Sequence, residues 1–220
     1  MNEFFSILKH TTLFRGIQEH ELSDMLHCLG ASIRSYPKDS FLLRSGDPFS
    51  SLGIVLSGAL VLLREDFWGN RTILAKVQPA EMFGETYACL KNTSSVSVQA
   101  DSDCKVLWLD IHRVLTSCSN ACSFHTHLIR NLLSAMAEKN LQLTQKLQIT
   151  SQRSLREKIL SYLSAQSQLA ENSEFTIPFS RQQLADYLAV DRSALSSALG
   201  KLRDEGILEF HKNRFRLFLR

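Results

Sequence analysis

The chain has 220 residues, 44% of them hydrophobic and 21% charged, with a formal net charge of +3. That is the make-up of a globular protein of one or two domains. No run of about 18 apolar residues occurs, so no transmembrane helix is expected.

The N-terminus, MNEFFSILKHTTLF, has no basic stretch ahead of its apolar patch and no small-residue cleavage site. A secretory leader is not expected, and a cytoplasmic location is. Five cysteines, Cys28, Cys89, Cys104, Cys118 and Cys122, are an odd number and are expected to be reduced there. Cys118 and Cys122 form a C-x3-C pair, two ligands short of a structural metal site. His112, His125 and His127 lie near enough in sequence to complete a set, but no metal is assigned. Charge is uneven. Residues 1–150 carry 14 basic and 14 acidic side chains, whereas 151–220 carry 11 and 8. The excess points to an anionic partner for the C-terminal part.

Residues 3–29 read as one or two short helices, with Leu22, Met25, Leu26 and Leu29 at helical spacing. From about 32 to 110, short apolar runs alternate with Gly, Pro and Asn turns, the pattern of a small β sandwich or barrel. Asp66 to Asn70 is expected to close a hairpin. IHRVLTSCS is a short helix. FHTHLIRNLLSAMAEKNLQLTQKLQIT then runs long with no glycine or proline. Ile129, Leu132, Met136, Leu143 and Leu147 recur along it at steps of three, four, seven and four, with Lys139 and Asn140 breaking the stripe. Two copies packed seam to seam would cover it, giving a homodimer; packing on its own domain is the other reading. Residues 154–168 form a further helix, ENSEF a loop, and TIPF a short strand.

FSRQQLADYLAVDRSALSSALGKLRDEGILEF, residues 179–210, carries the most information. Ser180 and Gln183 make a capping box. AVD breaks the first helix, Asp191 caps the second, and Gly206 ends it. Leu184 and Leu188, then Leu195, Leu199 and Leu202, form the buried faces. This is a helix-turn-helix followed by a small hairpin, or wing. The second helix would enter a DNA major groove with Arg192, Ser193, Ser196 and Ser197 toward the bases. Arg181, Lys201, Lys212 and Arg214 are placed to meet phosphates.

GETYACLKNTSSVSV, residues 84–98, has the composition of an anion-binding turn, yet Lys91 is its only cation.

In this order of parts the chain resembles the bacterial transcription regulators of the cyclic-AMP receptor protein and fumarate–nitrate regulator (CRP/FNR) family, along nearly its full length. PKDSFLLRSGDPFSSLGIVLSGALVLL running on to PAEMFGE, the long helix, and SRQQLADYLAVDRSALSSALGKLRDEGIL carry the resemblance. It implies an α+β protein. Its parts are a cyclic-nucleotide-binding-like β-roll (a double-stranded jelly roll), a long dimerisation helix and a C-terminal winged helix-turn-helix. The corresponding divisions are 1–117, 118–150 and 151–220. It also implies a homodimer on palindromic double-stranded promoter DNA, RNA polymerase as a partner, and a small-molecule effector held between roll and long helix.

In the cyclic-AMP branch an arginine–serine pair after the GE turn grips the cyclic phosphate. Here Gly84 and Glu85 match, but the arginine position falls on Ser94 and the serine position on Ser95. Ser94 cannot neutralise a phosphate, and losing the arginine should weaken cyclic AMP by one or two powers of ten or more. Lys91 is a flexible substitute. The effector set implied is Gly84, Glu85, Thr86, Lys91, Ser94, Ser95, Lys139 and Asn140. It would hold something other than cyclic AMP, or nothing, with Glu85 and the serines satisfying turn amides. An iron–sulfur cluster is not expected, because residues 1–27 contain no cysteine. Haem remains open through His10, His20, His27, His112, His125 or His127, as does thiol sensing. A sensor module signalling through a protein partner is the alternative of another class. No nucleophile–base pair suggests an enzyme.

Overall fold

The computed structural model describes residues 4–90, 92–116 and 124–218, without the side chains of Glu19 and Phe124. The chain divides into two compact units, residues 1–64 with 74–140, and residues 65–73 with 141–220. No helix among the described residues is long and apolar enough to cross a membrane.

The first unit opens with helix α1 (Phe5–Leu8), a 3-10 turn at Thr12–Phe14 and helix α2 (Glu19–Cys28). Eight strands follow: β1 (Ser32–Tyr36), β2 (Phe41–Leu43), β3 (Ser51–Ser57), β4 (Leu60–Glu65), β5 (Arg71–Val77), β6 (Met82–Phe83), β7 (Ser97–Ala100) and β8 (Cys104–Asp110). They form two four-stranded sheets, ordered β1-β8-β3-β6 and β2-β7-β4-β5. Side chains alternate across a strand, so one strand can serve two cores. Val55, Val106 and Trp108 join Leu43, Leu60, Val77 and Val98 of the other sheet in the sandwich core. Leu52, Ile54, Leu56, Leu107 and Leu109 point the other way, into a core shared with the helices. That is why β3 and β8 read as nearly unbroken apolar runs. Gly53, opposite Trp108 in the β3–β8 register, is small for a packing reason. A Cβ there would lie 2.4 Å from the Phe83 ring.

Helix α3 (Glu85–Leu90) lies between β6 and β7, and α4 (Ile111–Leu115) follows β8. The sequence suggests only a turn at 84–90; the structure makes it a turn leading into a helix. Gly84, at φ +84, supplies the left-handed residue, and its carbonyl accepts from Ala88. Helix α5 (Phe124–Thr150) is the long helix. Leu128, Leu132 and Ala135 bury into the first unit's helical core, with Met136 packed against it. The Asn131 amide donates to the carbonyls of Leu13 and Arg15 and fixes that face. Leu132 therefore does not belong to an outward stripe, contrary to the sequence expectation. Leu133, 64% exposed, takes its place.

The second unit holds α6 (Leu155–Leu169), β9 (Glu174–Thr176), α7 (Arg181–Leu188), α8 (Arg192–Asp204), β10 (Leu208–His211) and β11 (Arg214–Leu217). The three strands pair in the order β10-β11-β9. The short strand is thus Glu174–Thr176 and not TIPF. Pro178 has no N–H to donate, and Ser180 already caps the next helix. At the β4–β5 tip the Asp66 carboxylate accepts from the Trp68 and Asn70 backbone and from the Asn70 amide. This turn leaves Phe67 and Trp68 exposed.

Candidate effector site and nucleic-acid interface

The turn from β6 into α3 brings Glu85 inside the first unit, where its side chain is 6% exposed. A carboxylate so placed needs a partner. Lys139, from α5, provides it. Its Nζ donates to Glu85 Oε1 at 2.8 Å and to the Met82 carbonyl at 2.5 Å. The other oxygen, Oε2, is buried and makes no hydrogen bond among the described residues. Phe49 closes over Gly84; a Cβ on that glycine would meet its ring at 2.2 Å.

The two serines are already engaged. Ser94 is buried, donates to the Val96 carbonyl at 2.6 Å and accepts from the Val96 N–H at 3.2 Å. Ser95 Oγ and the Tyr87 hydroxyl share a hydrogen bond of 2.7 Å. Of the residues read as an effector set, Glu85 and Lys139 are thus brought together. Ser94 and Ser95 are drawn into their own loop. Thr86 and Asn140 are exposed. Lys91 lies outside the described residues. Sequence spacing placed Lys139 in the apolar stripe as an interruption. The structure moves it off the stripe and onto the roll, where a buried acid needs a cation.

No group of three or more His, Cys, Asp or Glu suited to a metal occurs among the described residues. Cys118 and Cys122 lie outside them. Burial pushes the Cys89 and Cys104 thiols up, away from the reactive thiolate. His10, His20, His27, His112 and His127 are exposed and His125 is buried.

In the second unit, Ser180 and Gln183 form the expected capping box. Helix α7 ends at Ala189, which adopts the left-handed conformation at φ 53, ψ 55. Asp191 caps α8, accepting from the Ser193 and Ala194 N–H groups. Leu184, Ala185, Leu188, Leu195, Leu199 and Leu202 are all buried. The two helices therefore present the outer side of α8. Arg192 stands at its first position, exposed, its guanidinium without a hydrogen bond among the described residues. Ser193 is used in the cap, and its hydroxyl donates to Asp191 at 2.6 Å. The Ser196 hydroxyl donates back to the Arg192 carbonyl at 3.0 Å. Ser197 and Lys201 are exposed.

The cations expected to meet phosphates are less free than their spacing suggests. Arg181 is half-buried with its guanidinium 4.8 Å over Phe210, donates to the Lys212 carbonyl at 3.3 Å, and has its pKa lowered by burial. Arg214 pairs with Glu174. Lys212 is exposed at the wing turn. Sequence reasoning had no means of seeing these aromatic and acidic partners, because each comes from a different strand.

A family model for the cyclic nucleotide-binding domain matches residues 33–120, and one for the Crp-like helix-turn-helix domain matches 157–219. The chain belongs to the CRP/FNR family. This regulator carries an effector-binding-type domain followed by a DNA-binding helix-turn-helix. Comparison with the curated proteins gave no match. Among solved structures, the regulator has the fold of the c-di-GMP-responsive regulator CLP of Xanthomonas campestris. The TM-score is 0.73 at 19% identity, over 91% of this chain and 100% of that one. It is similar also to CooA of Carboxydothermus hydrogenoformans, with TM-score 0.71 and 16% identity over 88% and 85%. FixK2 of Bradyrhizobium japonicum gives 0.67 and 21% over 86% and 93%.

Proposed function

We propose that this regulator is a homodimer that reads a palindromic promoter site through α8 and does not answer to cyclic AMP. The observation that carries the second half is the Glu85–Lys139 pair. Glu85, the acid of the GE turn in the effector set that the family resemblance implies, is already bonded to the chain's own lysine. Ser94 has no charge to offer a phosphate, and its hydroxyl is spent on Val96. Thermal unfolding tests this. A ligand at a hundred times its Kd adds about 2.7 kcal/mol. Cyclic AMP at millimolar concentration is expected to leave the melting temperature unchanged; a clear upward shift would overturn the reading.

The dimer rests on the outer side of α5. Ile129, Leu133, Met136, Asn140, Leu143 and Leu147 alternate at steps of four and three, the a/d spacing of a two-stranded seam. Leu133, Leu143 and Leu147 are each more than 60% exposed. Leucines exposed in that register call for a second copy of the same helix, with Asn140 setting its register. In light scattering the protein should have the mass of two chains. Leu147→Asp places a charge in the seam and should weaken association by about a hundredfold or more, giving one chain at micromolar concentration. A Leu147→Asp protein that stays dimeric would place the interface elsewhere.

A further inference from the structure

A half-buried lysine lies where the aromatic residues of the second unit gather. Lys146 sits in the last turns of α5. Its Nζ lies 4.2 Å from the centre of the Tyr187 ring. The same ammonium donates to the carbonyl of Ile73, on the 65–73 segment that belongs to this unit. Tyr187 is in α7, the first helix of the helix-turn-helix, and packs on Phe179 at 4.8 Å and Tyr162 at 5.5 Å. One cation therefore touches the hairpin backbone, the long helix and α7.

The two contacts both need the charge. A ring face attracts a cation through its quadrupole, and a carbonyl accepts more strongly from an ammonium than from a neutral amine. Yet the position is costly for a charge. Burial pushes Lys146 down to about 8 from its ordinary 10.5. Methionine has a similar unbranched stem and a sulfur that packs well against an aromatic ring. Packing stability by itself would favour it here.

We propose that Lys146 is a positioning residue for DNA reading, its ammonium pinning the 65–73 hairpin segment and α7 to the end of the long helix. Helix α8 packs on α7 through the apolar faces already described, so the pose of Arg192 follows from the pose of α7. The inference rests on the DNA-binding reading above.

Hydrogen exchange on the full-length protein without DNA tests the pin. Lys146→Met should speed exchange of the amides at 71–73 and in α7 by about tenfold, leaving β3 and β8 unchanged. Its melting temperature should hold or rise, because the desolvated charge is gone. On DNA, the ratio of specific to non-specific affinity should fall by about tenfold, and Lys146→Arg should recover most of it. Unchanged exchange in Lys146→Met overturns the pin. A lower melting temperature with no recovery by Lys146→Arg reduces the residue to core filler and also overturns it. Faster exchange in a protein whose wild type shows no sequence preference sinks the DNA reading and, with it, the purpose assigned to the pin.

Discussion

Lys139→Met will lower the melting temperature by about 6–12 °C. The substitution removes the cation from a carboxylate that is 6% exposed and leaves the second carboxylate oxygen as it was, buried without a donor among the described residues. Breaking a buried ion pair from one side costs about 3–5 kcal/mol, because the remaining charge keeps its desolvation cost and loses its compensation. Lys139 is 29% exposed, so water reaches the site in part and the lower end, about 3 kcal/mol, applies. For a chain of this length each kcal/mol moves the midpoint by about 2–4 °C. Pairing the change with Glu85→Gln should return at least half of the loss, since no charge is then stranded. An unchanged midpoint in Lys139→Met would mean the pair does not hold in solution, and the argument against cyclic AMP would lose its main support. In the sequence Lys139 is only a break in the apolar stripe, whereas in the fold it is the partner of Glu85.

Arg192→Ala will remove sequence-specific DNA binding and leave the dimer intact. Arg192 stands at the first turn of α8, where residues of a recognition helix reach base edges. Its guanidinium makes no hydrogen bond among the described residues, so none of them competes for it. Ser193 and Ser196 are weaker candidates than their spacing implied, each hydroxyl being bonded to Asp191 or to the Arg192 carbonyl. One bidentate arginine–guanine contact contributes about 1–3 kcal/mol of discrimination, and a dimer makes it twice. The expected loss is therefore about thirtyfold or more in specific affinity, with non-specific binding little changed. Lys201→Ala should behave differently. It should weaken every sequence alike and reduce the salt dependence by about one ion per subunit. A gel shift over a salt series separates the two patterns. Specific binding that survives Arg192→Ala would move the recognition surface away from the start of α8.

Much of this protein was determined by local sequence. The helix-turn-helix was legible because its signals are short-range: Ser180 and Gln183 make one cap, Asp191 another, Gly206 the stop, and leucines at helical spacing make the faces. The roll was legible from glycine and proline between short apolar runs, and the length of α5 from the absence of either. What each side chain meets across the fold was decided only by the tertiary structure. Leu132 and Leu133 are neighbours, and nothing local says which turns inward. The Asn131 anchor to the Leu13 and Arg15 carbonyls settles it. Lys139 and Glu85 lie 54 positions apart, and Lys146 and Ile73 lie 73 apart. Periodicity reports which face of an element is apolar, but a buried polar residue takes its partner from whichever element the fold brings near. That is why the architecture could be read from the chain, while the state of its effector site could not.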